Sequence, residues 1–224
     1  PRVLVAGVGC ERGTDAAEVI GLVEASLAEA GLSPLSLAAV ATVEIKADEP
    51  ALHAAAAHFG VPLRLFSVAE LNAERGRLAT PSAVVEAEIG TPSVAEAAAL
   101  KAGALLVPKR KSTRATCAIG RAAAPIDANT FGRAPGRLHI VGIGPGDAAS
   151  RTAAAVAALA ASSDWVGYGL YLELIADVRH DQAEHRFGLG DEEPRVRPAL
   201  ELAAPGRTVA LVCSGDAQIY AMAA

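Results

Sequence analysis

The run Leu138-His139-Ile140-Val141-Gly142-Ile143-Gly144-Pro145-Gly146-Asp147 constrains this chain more than any other feature, because an apolar strand breaks there into a glycine loop closed by an acid. Glycine permits backbone conformations and close approaches that a side chain forbids, and the proline between two glycines fixes one dihedral of the turn. A second apolar run, residues 208–212, enters Cys213-Ser214-Gly215-Asp216-Ala217-Gln218-Ile219-Tyr220. In open α/β sheets ligands bind beyond the carboxyl ends of the strands, so the two strand ends read as two walls of one cleft. The loop is not a dinucleotide fingerprint. That motif needs Gly-x-Gly-x-x-Gly and an acid about 20 residues on, whereas Asp147 stands where a pyrophosphate would be repelled.

At 224 residues the chain favours two domains over one. Much of its 52% hydrophobic content is alanine and only 4% is aromatic, which predicts helices packed closely on small side chains. A net charge of −5 argues against a general nucleic-acid binder, since the phosphate backbone demands a basic face. The longest apolar stretch, residues 153–161, is too short to span a bilayer, and no membrane association is expected. Cys10, Cys117 and Cys213 lie far apart and form no Cys-x-x-Cys pair, which suits a cytoplasmic location. His53 and His58 are five apart on a predicted helix, about 140° around it, while His180 and His185 fall in an expected loop. No metal site is expected.

The first half alternates strands and helices. Residues 3–8 read as a strand, followed by a helix capped at Thr14 or Asp15 and stopped by Gly31, a strand over 38–43, and an alanine-rich helix ending at Gly60. A strand over 63–66, a short helix over 68–72 and helices near 82–89 and 93–102 come next. Two strands, 105–109 and 113–119, join through the basic turn Arg110-Lys111-Ser112. Gly7-x-Gly9-x-x-x-Gly13 misses the dinucleotide spacing by one residue. Residues 123–137 have linker composition, rich in Ala, Gly and Pro.

The Gly-Pro-Gly-Asp loop, Trp165-Val166-Gly167-Tyr168-Gly169-Leu170-Tyr171-Leu172, Leu189-Gly190-Asp191-Glu192 and Ser214-Gly215-Asp216-x-x-Ile219-Tyr220 together resemble the tetrapyrrole (corrin and porphyrin) methylase family, in its precorrin-3B carbon-17 methyltransferase branch. Ala217-Gln218 departs from the Pro-Gly that usually continues the Gly-Asp pair. Gly-Val-Gly-Cys-Glu-Arg-Gly-Thr at 7–14, Thr42-x-x-x-Lys46-x-x-Glu49-Pro50, the Gly90 to Leu100 segment, and Lys109 with Thr116-x-Ala118 are similar to the CobE/CbiG C-terminal domain of cobalamin biosynthesis. The fold class expected from both is α/β: a small CobE-like domain over 1–122, a linker over 123–137, and the amino-terminal domain of a methylase, incomplete, over 138–224.

The methylase resemblance implies S-adenosylmethionine as cofactor, at Pro145, Ser214, Gly215, Asp216 and Ile219, with Gly144, Gly146 and Asp147 toward the substrate. Asp147 and Asp216 also read as helix caps. If the carbon nucleophile needs a base, Tyr168, Tyr171 and Glu173 are the candidates, although an aromatic after a strand also serves packing. In the first domain Gly9, Cys10, Lys46, Lys109, Arg110 and Arg114 are the candidate contacts for a corrin intermediate. The cations would pair with its carboxylates, or simply solvate a hairpin tip. The function implied is methylation of precorrin-3B at carbon 17 in cobalamin synthesis. A tetrapyrrole carrier without catalysis, a cobalt-precorrin-5A hydrolase-type role for the first domain, and a homodimeric assembly stay open.

Overall fold

The computed structural model describes residues 1–215, which fall into two compact α/β units that divide after Pro135. In the first unit five strands lie in the order β3-β2-β1-β5-β4: β1 Leu4–Cys10, β2 Leu37–Val43, β3 Leu63–Phe66, β4 Ala104–Lys111 and β5 Ala115–Arg121. The first three run parallel and the β4–β5 hairpin is antiparallel to β1. This places the carboxyl ends of β1 and β2 at the same edge as the hairpin turn, with Cys10 opposite Ala115 and Gly9 opposite Thr116.

Period-two alternation sorts the side chains of β1 onto the two faces. Leu4, Ala6 and Val8 pack on α1 (Ala16–Glu29) and α2 (Pro50–His58), while Val5 packs on α5 (Val94–Leu100). Asp15 caps α1 by accepting the Ala17 N–H at 2.9 Å. The short helix α3 (Val68–Asn72) opens on a capping box, Ser67 with Glu70. Helix α5 lies so close to the sheet that a Cβ at Gly7 would stand 2.0 Å from the Ala95 carbonyl oxygen, and one at Gly120 1.9 Å from that of Ala99. Small side chains on the helix and bare backbone on the strands are therefore one device, the close packing that the alanine content predicts.

Helix α4 (Ala83–Ile89) differs from its neighbours in burying none of its residues fully. Its hold on the unit is Val85 and Ile89, packed at the edge of the α5-side core.

Residues 123–135, whose composition reads as linker, are held against the first unit. The Ile126 N–H donates to Arg2 at 2.9 Å, and Leu65 and Arg133 exchange backbone bonds of 2.8 and 3.0 Å. Phe131 meets Phe66 edge to face at 5.3 Å, and Arg133 reaches Glu44 at 2.8 Å. The physical reason is the open edge of β3, whose unpaired backbone groups this segment satisfies.

The second unit is a parallel sheet in the order β6-β9-β7-β8, from β6 Arg137–Gly142, β7 Asp164–Tyr168, β8 Ala183–Phe187 and β9 Thr208–Cys213. Helices α6 (Ala153–Ala161) and α7 (Gly169–Glu173) lie on the face that carries Trp165, Ala210 and Val212. Helix α8 (Glu192–Ala203) covers the other, with Val166, Val209 and Leu211. Helices on both faces of a parallel sheet make this a doubly wound arrangement. His185, expected in a loop, sits on β8 and meets the Asp164 carboxylate of β7 at 2.9 Å.

Candidate functional site

In the second unit the ends of β6 and β9 come together. Gly144 and Gly215 form an antiparallel bridge, with N–H to carbonyl distances of 3.2 and 2.9 Å, and both are left-handed, at φ +68° and +63°. Ser214 Oγ donates to the Tyr171 hydroxyl at 3.2 Å, and Tyr168 and Tyr171 stack edge to face at 5.2 Å. The structure thus gathers Gly144, Ser214, Gly215, Tyr168 and Tyr171 at one strand-end edge, and Pro145 lies exposed in the loop between them and Gly146. Gly146 is backed by Leu174, whose Cδ1 would be 2.9 Å from a Cβ there.

Asp147 is already engaged. It accepts from the Ser150 N–H at 3.0 Å and from its hydroxyl at 2.6 Å, capping a short 3-10 turn, and these bonds hold its carboxyl below the usual range. Glu173 points to Arg186 at 2.9 Å and is mostly exposed, so its carboxylate is tied to a surface ion pair and not to the tyrosines. Asp216 and Ile219 lie outside the described residues. Bare backbone at Gly144 and Gly215 beside the Ser214 and Tyr171 hydroxyls fits a ligand that needs close backbone approach and neutral hydrogen-bond partners.

The first unit carries a cleft of about 540 Å³ at the carboxyl edge of its sheet. Gly9, Cys10, Lys46, Lys109 and Arg114 all line it, together with Lys111. Arg110 does not, because successive residues of β4 face opposite sides and Arg110 pairs with Glu29 at the end of α1. The expectation that Arg110 joins Lys109 in contacting a ligand is corrected on this ground. Arg114 is committed to the loop below, donating to Glu11 at 2.9 Å and to the carbonyls of Gly13 and Arg12 at 3.2 and 2.7 Å. Glu18 of α1 pins the turn through Ser112 Oγ at 2.6 Å and the Arg114 N–H at 2.7 Å. Burial, and next the Glu49 charge, push the Cys10 thiol up to about 11, so it stays protonated at neutral pH.

Two features at this cleft have no counterpart in the sequence reading. One is the apolar wall, Val84, Val85 and Ile89 of α4 with Val94 of α5. The other does not line the cleft but supports it: Glu96, fully buried, accepts from the N–H groups of Ala79, Thr80 and Lys109 at 2.9 Å and from the Thr80 hydroxyl at 2.8 Å. Burial opposes its charge, but those donors outweigh it and hold the carboxyl below its ordinary value. The signal that could have found it is Ser93-x-x-Glu96 before an alanine run, the spacing of a capping box. Ser93 does cap α5, yet Glu96 turns away to fasten β4 to the segment entering α4. Lys109 completes the clasp by donating to the Thr80 carbonyl.

Two α/β units, each with its prospective ligand-contacting groups at the carboxyl edge of the sheet, define the class. Residues 4–120 match the family described as Cobalamin synthesis G C-terminus, and residues 137–224 match Tetrapyrrole (Corrin/Porphyrin) Methylases. The chain belongs to the cobalamin synthesis G C-terminus family and carries tetrapyrrole methylase sequence behind it. Protein CobE of Sinorhizobium sp is 48% identical over 120 residues, 52% of this chain and 78% of that protein. The probable cobalt-factor III C(17)-methyltransferase of Salmonella typhimurium is 43% identical over 86 residues, 38% of this chain and 36% of that enzyme. The precorrin-3B C(17)-methyltransferase of Sinorhizobium sp is 38% identical over 89 residues, 40% of this chain and 35% of its own length. A crystal structure of CobE, a protein from the cobalamin biosynthetic pathway, superposes with a TM-score of 0.51 at 41% identity, over 54% of this chain and 91% of that one. The chain therefore spans most of its CobE relative and about a third of the two methyltransferases.

Both matches place the chain in cobalamin biosynthesis. Members of the methylase family use S-adenosylmethionine. Among the described residues no helix is long and apolar enough to cross a membrane, and no group of three or more His, Cys, Asp and Glu could hold a metal ion.

Proposed function

We propose that the second unit forms part of an S-adenosylmethionine-dependent methyltransferase acting on carbon 17 of precorrin-3B, and that the first unit holds the corrin intermediate. The observation that carries the first part is the Gly144–Gly215 bridge with Ser214 and Tyr171 beside it, at the strand ends where the methylase resemblance expects cofactor contacts. When bound, S-adenosylmethionine supplies an activated methyl group. The protein's share is alignment: Gly144 and Gly215 let the backbone come close, and the Ser214 and Tyr171 hydroxyls orient what docks there. With Glu173 held by Arg186, Tyr168 and Tyr171 are left as the groups able to handle a proton on the substrate side.

Saturation-transfer NMR, which reads millimolar affinities, tests the cofactor site. Signal transfer to S-adenosylmethionine in the wild type, lost in Ser214→Ala with Tyr171→Phe, supports it; equal transfer in both overturns it. The carbon-17 assignment is tested by supplying precorrin-3B with labelled methyl donor and locating the label.

For the first unit, one observation favours holding over covalent chemistry. Burial pushes the Cys10 thiol up to about 11, which disfavours it as a nucleophile, and Lys46, Lys109 and Lys111 line the same cleft as groups able to hold carboxylates. The cobalt-precorrin-5A hydrolase of Priestia megaterium is a relative at 37% identity, but the match covers 32% of that enzyme.

A further inference from the structure

Helix α4 alone among the α-helices of the first unit buries none of its residues fully, and its two sides are held differently. Two residues turn a helix by about 200°, so Glu86 and Glu88 point in nearly opposite directions. Glu86 lies outside the cleft lining, where the Arg75 guanidinium grips it with two hydrogen bonds of 2.5 and 3.1 Å. Both side chains are solvated, at 59% and 37% exposure, and a pair of that kind holds weakly. Glu88 lines the cleft with Val84, Val85 and Ile89, and Lys46, Lys109 and Lys111 line it from η2 and β4. The other lining acid, Glu11, is taken by Arg114 at 2.9 Å, and Arg12 by Asp48 at 2.6 Å. Among the described residues the Glu88 carboxylate and the ammonium groups of Lys46 and Lys111 enter no hydrogen bond or ion pair, while Lys109 donates to the neutral Thr80 carbonyl.

The segment that carries α4 is built to swing as a unit. Its ends are joined to each other, the Ser82 N–H donating to the Pro92 carbonyl at 2.8 Å. Before it, Glu96 fixes the Ala79 and Thr80 N–H groups. After it, Gly90 turns left-handed at φ +85°, and its carbonyl accepts from Asn72 Nδ2 at 2.7 Å. This far end is under-satisfied, since Asn72 Oδ1 and the hydroxyl of fully buried Thr91 have no hydrogen-bond partner. Buried polar groups left so cost free energy, which a shift about Gly90 can recover. Inward motion has two further drives. It covers Val84, 69% exposed at the cleft, and it carries an unpaired carboxylate toward unpaired ammonium groups. The Arg75–Glu86 pair opposes it.

We propose that α4 is a lid with two positions, held outward by Arg75 on Glu86 and inward by Glu88 on Lys46 or Lys111, so that the empty cleft is shut by its own carboxylate. Such a bistable element lets a small change at one contact move a whole segment. An anionic ligand must displace Glu88 before it reaches the lysines. The lid is a property of the chain alone and does not depend on which molecule the cleft takes.

Zero-length carbodiimide coupling of the full chain, mapped by peptide mass spectrometry, reads the inward contact without any ligand. It should join Glu88 to Lys46 or Lys111, and Arg75→Ala, which releases the outer hold, should raise the yield about threefold. The Glu74–Lys101 pair, 3.2 Å apart, is the internal control. No Glu88 product in wild type or in Arg75→Ala, with Glu74 joined to Lys101, overturns the lid. Affinity for uroporphyrin I, a polycarboxylated macrocycle, separates a lid from simple repulsion. Glu86→Gln and Glu88→Gln each remove one negative charge from α4, so a through-space effect would tighten binding in both. The lid requires opposite signs: about threefold tighter in Glu88→Gln and about threefold weaker in Glu86→Gln. Tightening in both, or no change in either, overturns the proposal. A wild-type chain that binds no uroporphyrin overturns the holding function proposed for the first unit, and the coupling yield then decides on the lid by itself.

Discussion

Closely spaced glycines end the first strand of each unit, and they serve opposite ends. In the first unit Gly7 makes room for a helix backbone, and Gly120 on the neighbouring strand does the same. In the second, Gly144 and Gly215 turn the chain through left-handed conformations; a Cβ at Gly144 would meet the Ser150 carbonyl oxygen at 3.3 Å, whereas one at Gly215 would meet nothing within 4 Å among the described residues. One set is filled by protein, and the space at Gly215 is filled by none of the described residues. A glycine motif after a strand therefore marks a site only when nothing of the chain's own occupies the space it opens.

Substitution at the filled positions should break this contrast most violently. Gly7→Ala or Gly120→Ala drives a methyl group into helix backbone, which cannot give way as a side-chain tip would. We expect a loss of about 3 kcal/mol or more in denaturant unfolding of the first unit. A loss below 1 kcal/mol would mean that α5 is free to lift, and the packing account would fail.

The buried acids of the two units sharpen the comparison further. Glu96 is satisfied by main-chain and hydroxyl donors, whereas Asp164 of β7, also fully buried, is held by Ser163 at 2.6 Å, His185 at 2.9 Å and Arg207 at 3.0 Å. Burial opposes the charge of Asp164, and its partners more than offset this, so its carboxyl lies below the usual range. Asp164→Asn should cost the second unit about 2–3 kcal/mol at pH 7, because Arg207 loses its counter-charge and the bonds to Ser163 and His185 lose a carboxylate partner. A depressed folded-state pKa gives stability that is complete above the unfolded value of about 3.9 and lost as pH falls through the folded value. The Tm gap between wild type and variant should accordingly close below about pH 4. A gap constant from pH 7 to pH 2 would assign the effect to packing.

Legibility followed the same division. Strands with apolar runs, such as 37–43 and 208–213, and helices with caps, such as 68–72, were readable because burial and capping leave local marks. Strand β8, Ala-Glu-His-Arg-Phe, was not, since an edge strand rich in polar residues shows no apolar alternation. Nor was the cover that residues 123–135 give to β3, because Ala, Gly and Pro composition reports a chain without regular structure and not one without partners. Of the cleft in the first unit, Lys109 and Lys111 were visible in a basic hairpin and Lys46 in the motif that follows the second strand. The face each one takes depends on strand phase, and the apolar wall on a helix that only the fold brings near.

At the open position a smaller effect is expected. Gly215→Ala meets no neighbour among the described residues, so its cost is that of holding alanine left-handed, about 1 kcal/mol. Calorimetric Tm should fall slightly while S-adenosylmethionine contact, read by saturation transfer, falls much more. Parallel loss of both would make this glycine a turn residue and nothing else.

The smallest effect belongs to the hairpin, where neighbouring cations part ways. Arg110 faces α1 and forms an exposed ion pair with Glu29, and such pairs contribute about 0–1 kcal/mol. Arg110→Ala should therefore leave stability within about 0.5 kcal/mol of wild type and uroporphyrin affinity unchanged, while Lys111→Ala, one residue on, weakens affinity at equal stability. The pair isolates strand phase from net charge, since each variant removes a single positive charge from the same turn. Equal weakening by both would mean that the hairpin attracts its ligand through its overall field, and the division of β4 into a ligand face and a helix face would have no functional content.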